Sequence, residues 1–242
     1  MMDSLRKKRN IKVILWDIDG TLLDFSQSER YAMGKCFELL QLGVCSEEML
    51  RIYSEINKGY WKRLERQEIS KKEVLIGRFR DFFQACNLDV SRAEEFNEEY
   101  QRRLGDKVVF FKNGWELVKE LRGKLLQYAV TNGTKVAQDR KLKNSGLEDM
   151  LDGVFISEEV GVEKPGIGFF QKVFQQIGHF SKDEILIVGD SLTSDIQGGI
   201  NAGIITCWFN PERKVNNTDL EPHYIIGNLD EIRNICSYSE QL

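Results

Sequence analysis

Hydrophobic and polar positions follow two different periods along the chain, and the change between them marks its organisation. Residues 12–16 form a mostly apolar run that ends at Asp17 and Asp19 and then breaks at Gly20. An apolar run that stops at a turn residue is typical of a buried strand. From Ser26 to about Gly105, apolar residues instead recur at helical spacing, which predicts amphipathic helices that pack on one another.

From residue 107 onward, short apolar runs and amphipathic stretches alternate. The runs predict strands at 127–131, 153–157, 184–188, 204–208 and 224–226. The stretches predict helices at 113–122, 135–145, 167–177, 194–202 and 229–236. Such alternation produces a parallel sheet with helices on both faces. We therefore expect an α/β core domain from residues 1–24 and 107–242, with an all-helical domain inserted at 25–106.

Local signals mark several helix ends. Ser46 and Ser70 stand where helices of the insertion begin, and Glu73 follows Ser70 at the spacing of a capping box. Gly146 is placed to end the helix at 135–145 in the left-handed conformation.

Composition excludes several classes of protein. The 242 residues are 41% hydrophobic and 30% charged with a net charge of -4, unlike a basic nucleic-acid binder. No run approaches the roughly 18 apolar residues of a membrane span, so neither nucleic acid nor membrane is expected as a partner. Five scattered cysteines predict free thiols and a cytoplasmic protein. The two histidines, His179 and His223, fall in loop or surface positions, which leaves carboxylates as the available chemistry.

Polar side chains gather where the predicted strands end. They are Asp17 and Asp19 after the first strand, Thr131 and Asn132 after the second, and Asp190 and Asp195 after the strand at 184–188. Lys164 lies in the loop before the helix at 167–177. Each motif alone also suits a turn, a surface lysine or a helix cap. Together they favour a site, because parallel strands bring their carboxyl ends to the edge where α/β sheets bind ligands.

The chemistry of this edge predicts a metal and an anion. Crowded carboxylates repel one another unless a cation holds them, and Mg²⁺ suits oxygen ligands while it keeps several waters. The helix start after Thr131 and Asn132 offers backbone N–H groups to an anion. With Mg²⁺ and Lys164 offsetting the negative charge, the site would accept a phosphate dianion.

The order of these motifs resembles the haloacid dehalogenase-like hydrolases, in particular their phosphatases with an inserted helical cap. The patterns are D-x-D-G-T at 17–21, T-N at 131–132, K-P at 164–165 and G-D-S-x-x-x-D at 189–195. The resemblance covers nearly the whole chain and implies a Rossmann-like parallel sheet with a helical cap. Many relatives carry an aspartate or another capping residue where Gly166 follows Lys164 and Pro165, which predicts a looser loop around the lysine.

The resemblance also implies the roles of the first motif. Asp17 would attack the phosphorus and become an aspartyl-phosphate. Asp19 would protonate the leaving alkoxide, activate the hydrolytic water and offer its backbone carbonyl to Mg²⁺. The family's dehalogenases lack an aspartate at the second position, so Asp19 favours phosphoester chemistry over carbon–halogen cleavage.

The other strand ends take their roles from the same resemblance. Thr131 and Asn132 would hold the phosphoryl oxygens, and Lys164 would neutralise the transferring group and orient the nucleophile. Asp190 would complete the metal site with the two aspartates of the first motif. Asp195 would contact the residues that hold the metal, or a water bound to the metal.

We expect the helical insertion to select the substrate. As a lid it would exclude water and select the leaving group. Residues 60–70, with Arg78 and Phe79 later, resemble the cap of the nucleotidase-type, pyrimidine 5'-nucleotidase-like branch, which dephosphorylates nucleoside monophosphates. Trp61 has a ring able to stack on a base, although Trp61 and Phe79 equally suit the core of a bundle.

Other functions stay open at this point. A phosphatase for sugar phosphates or phosphoglycolate, or a phosphomutase, would keep the same motifs. A binding module that kept the fold and lost turnover is a further alternative, against which the presence of both Asp17 and Asp19 argues. The pattern does not specify an oligomeric state.

Overall fold

Six parallel strands form one sheet in the computed structural model, which describes residues 9–236. The strands are β1 (Val13–Trp16), β2 (Leu126–Thr131), β3 (Gly153–Ile156), β4 (Ile185–Gly189), β5 (Ile205–Phe209) and β6 (Tyr224–Ile226). Their order across the sheet is β3-β2-β1-β4-β5-β6. The predicted parallel α/β fold is confirmed, and each strand begins and ends within one residue of its predicted bounds.

The central strands bring the predicted motifs to one edge. All residues of β1 and β4 are buried, as expected for strands covered on both faces. Trp16 pairs with Ala129 of β2 and with Val188 of β4. The end of β1 therefore lies within two residues of the ends of β2 and β4.

Ten α-helices lie between or after the strands within residues 9–236. They are α1 (Phe25–Leu39), α2 (Glu47–Glu65), α3 (Lys71–Ala85), α4 (Ala93–Arg103), α5 (Gly114–Leu121), α6 (Lys135–Ser145), α7 (Ser157–Val160), α8 (Ile167–Ile177), α9 (Gln197–Ala202) and α10 (Ile232–Ile235). The short α7 was not predicted, because one turn shows no periodicity. The predicted helix at 194–202 begins instead as a π-helical turn, Leu192–Ile196, before α9. Within residues 9–236, none of the helices has the length and apolar character needed to cross a membrane.

The described chain divides into two compact units. The α/β unit contains residues 9–24, 110–133 and 146–236, and the helical unit contains 25–109 and 134–145. Helix α6 thus belongs to the helical unit, whereas the sequence-based division places it in the α/β domain. Its contacts explain this: Thr134 Oγ1 donates to Gln101 Oε1 (2.7 Å), and Asn144 Nδ2 donates to the Gly105 carbonyl (2.8 Å).

Aromatic side chains form the core of the helical unit. Ser46 and Ser70 cap α2 and α3, and Ser70 forms the predicted capping box. Phe79 is fully buried and stacks on Tyr53 with ring centroids 5.1 Å apart, so Phe79 is a core residue.

Trp61 is half-buried, and its ring faces the guanidinium of the buried Arg78.

Candidate active site

Asp17 lies at the carboxyl end of the central strand, between β2 and β4. This is the edge where an open α/β sheet binds its ligands. The Asp17 N–H donates to the Val188 carbonyl at 2.9 Å, which continues the β1–β4 ladder by one residue. Thr21 Oγ1 donates to Asp17 Oδ2 at 3.4 Å. The buried Asp17 carboxylate is therefore held in the middle of this edge.

The ammonium of Lys164 joins two carboxylates. Its Nζ lies 2.8 Å from Asp17 Oδ1 and 2.6 Å from Asp195 Oδ1. It also donates to the Val130 carbonyl at 2.7 Å. Three acceptors match the three N–H groups of an ammonium, which a side chain only 1% exposed requires.

Burial and ion pairing act in opposite directions on this pair. The pKa of Asp17 is raised to about 7: burial raises it most, the charge of Lys164 lowers it, and the charge of Asp195 raises it. Burial lowers the pKa of Lys164, but the charges of Asp17 and Asp195 outweigh burial and raise that pKa above its ordinary value. Lys164 is therefore cationic. A further cation near Asp17 would favour the carboxylate form of Asp17.

Three carboxylates converge beside this lysine. Oxygen atoms of Asp17, Asp190 and Asp195 lie within 4.8 Å of one another, with Asp190 exposed and the other two buried. Asp195 Oδ2 also accepts from the Ser191 N–H at 3.1 Å. Lys164 offsets one of the three negative charges, and every donor atom is an oxygen. The group therefore fits a hard divalent cation.

The sequence-based metal set differs from this group in one member. Side chains of Asp17, Asp190 and Asp195 converge, whereas the predicted set contains Asp19 and gives Asp195 a supporting place. Asp19 is half-buried, and the part of it assigned to the metal is its backbone carbonyl. The loop that carries it closes through the Gly20 N–H, which donates to the Leu23 carbonyl at 2.8 Å.

Two glycines allow the carboxylates to come this close. Gly20 has φ +91°, and a Cβ there would lie 2.7 Å from the Asp190 carboxylate. At Gly189 a Cβ would lie 2.2 Å from the carboxyl carbon of Asp195. Glycine is thus required at both positions, by conformation and space at the first and by space at the second.

The T-N motif lies at the end of β2, which neighbours β1: Thr131 is the last residue of the strand and Asn132 follows it. Thr131 Oγ1 accepts from the Gly133 N–H at 3.0 Å. Asn132 Oδ1 accepts from the Lys164 N–H, and Asn132 Nδ2 donates to the Lys164 carbonyl, both at 2.9 Å. The K-P loop is therefore attached to the end of β2.

Gly166 belongs to a tight turn in that loop. A Cβ at this position would lie 2.8 Å from the Glu163 carbonyl oxygen, and the Gly166 N–H donates to the same carbonyl. The peptide between Lys164 and Pro165 is cis. The close approach at Gly166 makes this turn tight, contrary to the looser loop expected from the missing side chain.

Sequence reasoning missed the residue that holds the Asp190 loop. Trp208 Nε1 donates to the Asp190 carbonyl at 2.9 Å. Trp208 lies in β5 and is 4% exposed, so its pattern is that of an ordinary core aromatic. Its contact with the Asp190 loop becomes visible only when β4 and β5 are paired.

Comparison with known proteins places the chain in a family. A family model described as haloacid dehalogenase-like hydrolase matches residues 11–203. HAD-hydrolase YfnB of Bacillus subtilis is 34% identical over 229 residues, 95% of this chain and 97% of the relative. A crystal structure of YfnB bound to magnesium matches with a TM-score of 0.89 at 33% identity, covering 94% of this chain and 99% of that one.

Two further relatives have named activities. Pyrimidine 5'-nucleotidase PynA of Streptococcus pneumoniae is 36% identical over 223 residues, 91% of this chain and 93% of the relative. Pyrimidine 5'-nucleotidase YjjG of Escherichia coli is 28% identical over 222 residues, 92% of this chain and 96% of the relative. Since the family model spans the chain from β1 to α9 and so includes every motif of the site, the protein belongs to the haloacid dehalogenase-like hydrolases.

Proposed function

We propose that the protein is a Mg²⁺-dependent phosphatase that hydrolyses a small phosphomonoester through an aspartyl-phosphate on Asp17. The observation that carries this proposal is the buried Asp17 carboxylate 2.8 Å from the Lys164 ammonium at the end of the central strand. A carboxylate fixed beside a cation suits attack on a phosphorus whose oxygens are negatively charged. The named activities of PynA and YjjG support a pyrimidine nucleoside 5'-monophosphate as the substrate.

The oxygen donors of the site support Mg²⁺ as the cofactor. Asp17 and Asp190 would hold the ion through their carboxylates, with the backbone carbonyl of Asp19 as a third protein ligand. Asp195 is already paired with Lys164 and accepts from the Ser191 N–H. It would keep the lysine and the loop that carries Asp190 in position. When bound, Mg²⁺ supplies positive charge that offsets the repulsion between carboxylate and phosphate.

The first step transfers the phosphoryl group to the protein. An oxygen of the Asp17 carboxylate attacks the phosphorus, and the bond from phosphorus to the leaving oxygen breaks. Asp19, in its protonated form, gives its proton to that oxygen, so an alcohol leaves. The positive charge of Lys164 and the hydroxyl of Thr131 stabilise the phosphoryl oxygens during the transfer.

The second step returns the protein to its starting state. The Asp19 carboxylate takes a proton from water, and the resulting hydroxide attacks the phosphorus. The bond between phosphorus and the Asp17 oxygen breaks, inorganic phosphate leaves and Asp19 is again protonated. One water is consumed for each ester hydrolysed. Choice of the leaving group is assigned in this proposal to the inserted helical domain.

Hydrolysis of p-nitrophenyl phosphate with and without Mg²⁺ tests the reaction class. We expect Mg²⁺-dependent release of phosphate that is lost in Asp17→Asn and retained in Asp139→Asn, which alters an exposed carboxylate paired with Lys135. Mass spectrometry after acid quench should show one added phosphoryl group on the peptide containing Asp17. Full activity of Asp17→Asn would refute the mechanism.

A substrate panel tests the specificity. It contains pyrimidine and purine nucleoside 5'-monophosphates, sugar phosphates and phosphoglycolate, each compared by kcat/KM. The proposal expects the highest values for the pyrimidine nucleotides. A preference for a sugar phosphate would overturn the substrate class and leave the phosphatase reaction intact.

A further inference from the structure

We propose that the side chain of Asn132 is a positioning residue for Lys164 and not a ligand of the phosphoryl group, and that Asn201 holds the same loop from its other side. We call the side chains of Asn132 and Asn201, bonded to the backbone of Lys164 and Pro165, the asparagine bracket. This inference rests on the proposed function, because it concerns the lysine of the same site.

The bracket contacts three backbone groups in two consecutive residues. The Lys164 N–H donates to Asn132 Oδ1, and Asn132 Nδ2 donates to the Lys164 carbonyl, both at 2.9 Å. Asn201 Nδ2 donates to the Pro165 carbonyl at 3.1 Å. The first asparagine comes from the end of β2 and the second from α9, so two elements hold the loop.

Both N–H groups of the Asn132 side chain have an acceptor within the protein. A primary amide has two N–H donors. One is bonded to the Lys164 carbonyl, and the same nitrogen lies 3.4 Å from Ser194 Oγ. Its orientation is unambiguous, because the Lys164 N–H can only donate and the Lys164 carbonyl can only accept. The part of Asn132 that could still face a phosphoryl group through its side chain is the oxygen, which an anion repels.

The bracket matters because Lys164 must reach three acceptors at once. Its Nζ is bonded to Asp17, Asp195 and the Val130 carbonyl at 2.6–2.8 Å. A lysine side chain is long and flexible, so the place of its ammonium depends on the place of its backbone. A displacement of about 1 Å in a catalytic group can cost about 10²-fold in rate.

The chain provides a matched control for the bracket. Asn210 holds Lys214 by the same pair of bonds: its Nδ2 donates to the Lys214 carbonyl at 2.9 Å, and the Lys214 N–H donates to its Oδ1 at 2.8 Å. Lys214 has an exposed side chain and pairs with Glu212. Asn210→Ala thus breaks an identical backbone contact on a lysine that has no part in the proposed reaction.

Amide hydrogen exchange tests the bracket independently of activity. We expect Asn132→Ala to increase exchange at the Lys164 amide by at least about tenfold while the Lys214 amide is unchanged, and Asn210→Ala to do the reverse. Unchanged exchange at Lys164 in Asn132→Ala would overturn the inference. If the wild-type protein hydrolyses no phosphomonoester, the proposed function fails, and exchange alone decides the bracket.

Kinetics with p-nitrophenyl phosphate and Mg²⁺ separate positioning from direct contact. We expect a fall in kcat of about 10- to 100-fold for Asn132→Ala, a smaller fall for Asn201→Ala, and wild-type kcat for Asn210→Ala. Because both asparagines act through one loop, the double variant Asn132→Ala/Asn201→Ala should lose less than the product of the single losses. Losses that multiply would overturn the inference in favour of a direct phosphoryl contact by Asn132, and an unchanged kcat in Asn201→Ala would overturn the role given to Asn201.

Discussion

Replacement of Lys164 by methionine isolates the energetic role of the buried cation. Methionine keeps most of the apolar stem and removes the ammonium that lies between Asp17 and Asp195. Both carboxylates remain buried, with side chains 10% and 2% exposed. The perturbation therefore leaves two like charges together in a poorly solvated place.

The expected cost follows from that geometry. Removal of one partner from a buried ion pair costs about 3–5 kcal/mol, since the other charge stays buried and unpaired. Asp17 can relieve the repulsion only by taking up a proton, and its pKa, already raised by burial to about 7, rises further when Lys164 no longer opposes the rise. A raised carboxyl pKa in the folded state adds stability below the unfolded value, and this stability is lost as pH rises. The cost of Lys164→Met should therefore be largest above about pH 8 and smaller near about pH 5.

Urea unfolding in the absence of Mg²⁺, followed by circular dichroism at both pH values, measures this cost. Lys135→Met is the control, because Lys135 and Asp139 form an exposed pair at 3.2 Å whose loss should cost no more than about 0.5 kcal/mol. Adding Asp195→Asn to Lys164→Met should restore part of the lost stability by removing one of the facing charges. A loss below about 1 kcal/mol at the higher pH, or no recovery in the double variant, would refute the reasoning.

Three further predictions concern the same edge of the sheet. Gly189→Ala should cost about 1–3 kcal/mol in urea unfolding, because its methyl group would lie 2.2 Å from the Asp195 carboxyl carbon. Gly59→Ala, at an exposed position of α2 with open space around it, should be neutral or stabilising. Without Mg²⁺, the contribution of Asp17 to stability should fall as pH rises from about 4 to about 7, because the pKa of its buried carboxyl group is raised to about 7. Wild-type protein should therefore lose stability relative to Asp17→Asn over this range, and a constant difference between the two would contradict the assignment. Asp19→Asn should slow single-turnover release of an alkyl leaving group by about 10²–10⁴-fold and that of p-nitrophenol much less, since nitrophenolate leaves without a proton; equal losses would argue against Asp19 as the acid.

Local pattern was enough to predict the elements. The apolar run before Asp17, the capping box at Ser70 and the left-handed Gly146 each depend on neighbours in sequence, and each is present in the structure. Strand and helix periods are properties of a few consecutive residues, which is why these predictions succeeded. Helix α7 was missed, and the π-helical turn at Leu192–Ile196 was not distinguished from α9, because segments this short leave no period to detect.

The sequence by itself thus determined the fold class and the motifs that follow the central strands, since the period of a strand and the residue that ends it are encoded locally. The tertiary structure decided which polar groups touch. The order β2-β1-β4 brings Lys164 to Asp17 and Asp195, a bond from β5 holds Asp190, and the Asn132 amide meets the backbone of a residue 32 positions away. These contacts join residues far apart in sequence, so no periodicity records them, and they exist only once the strands are paired.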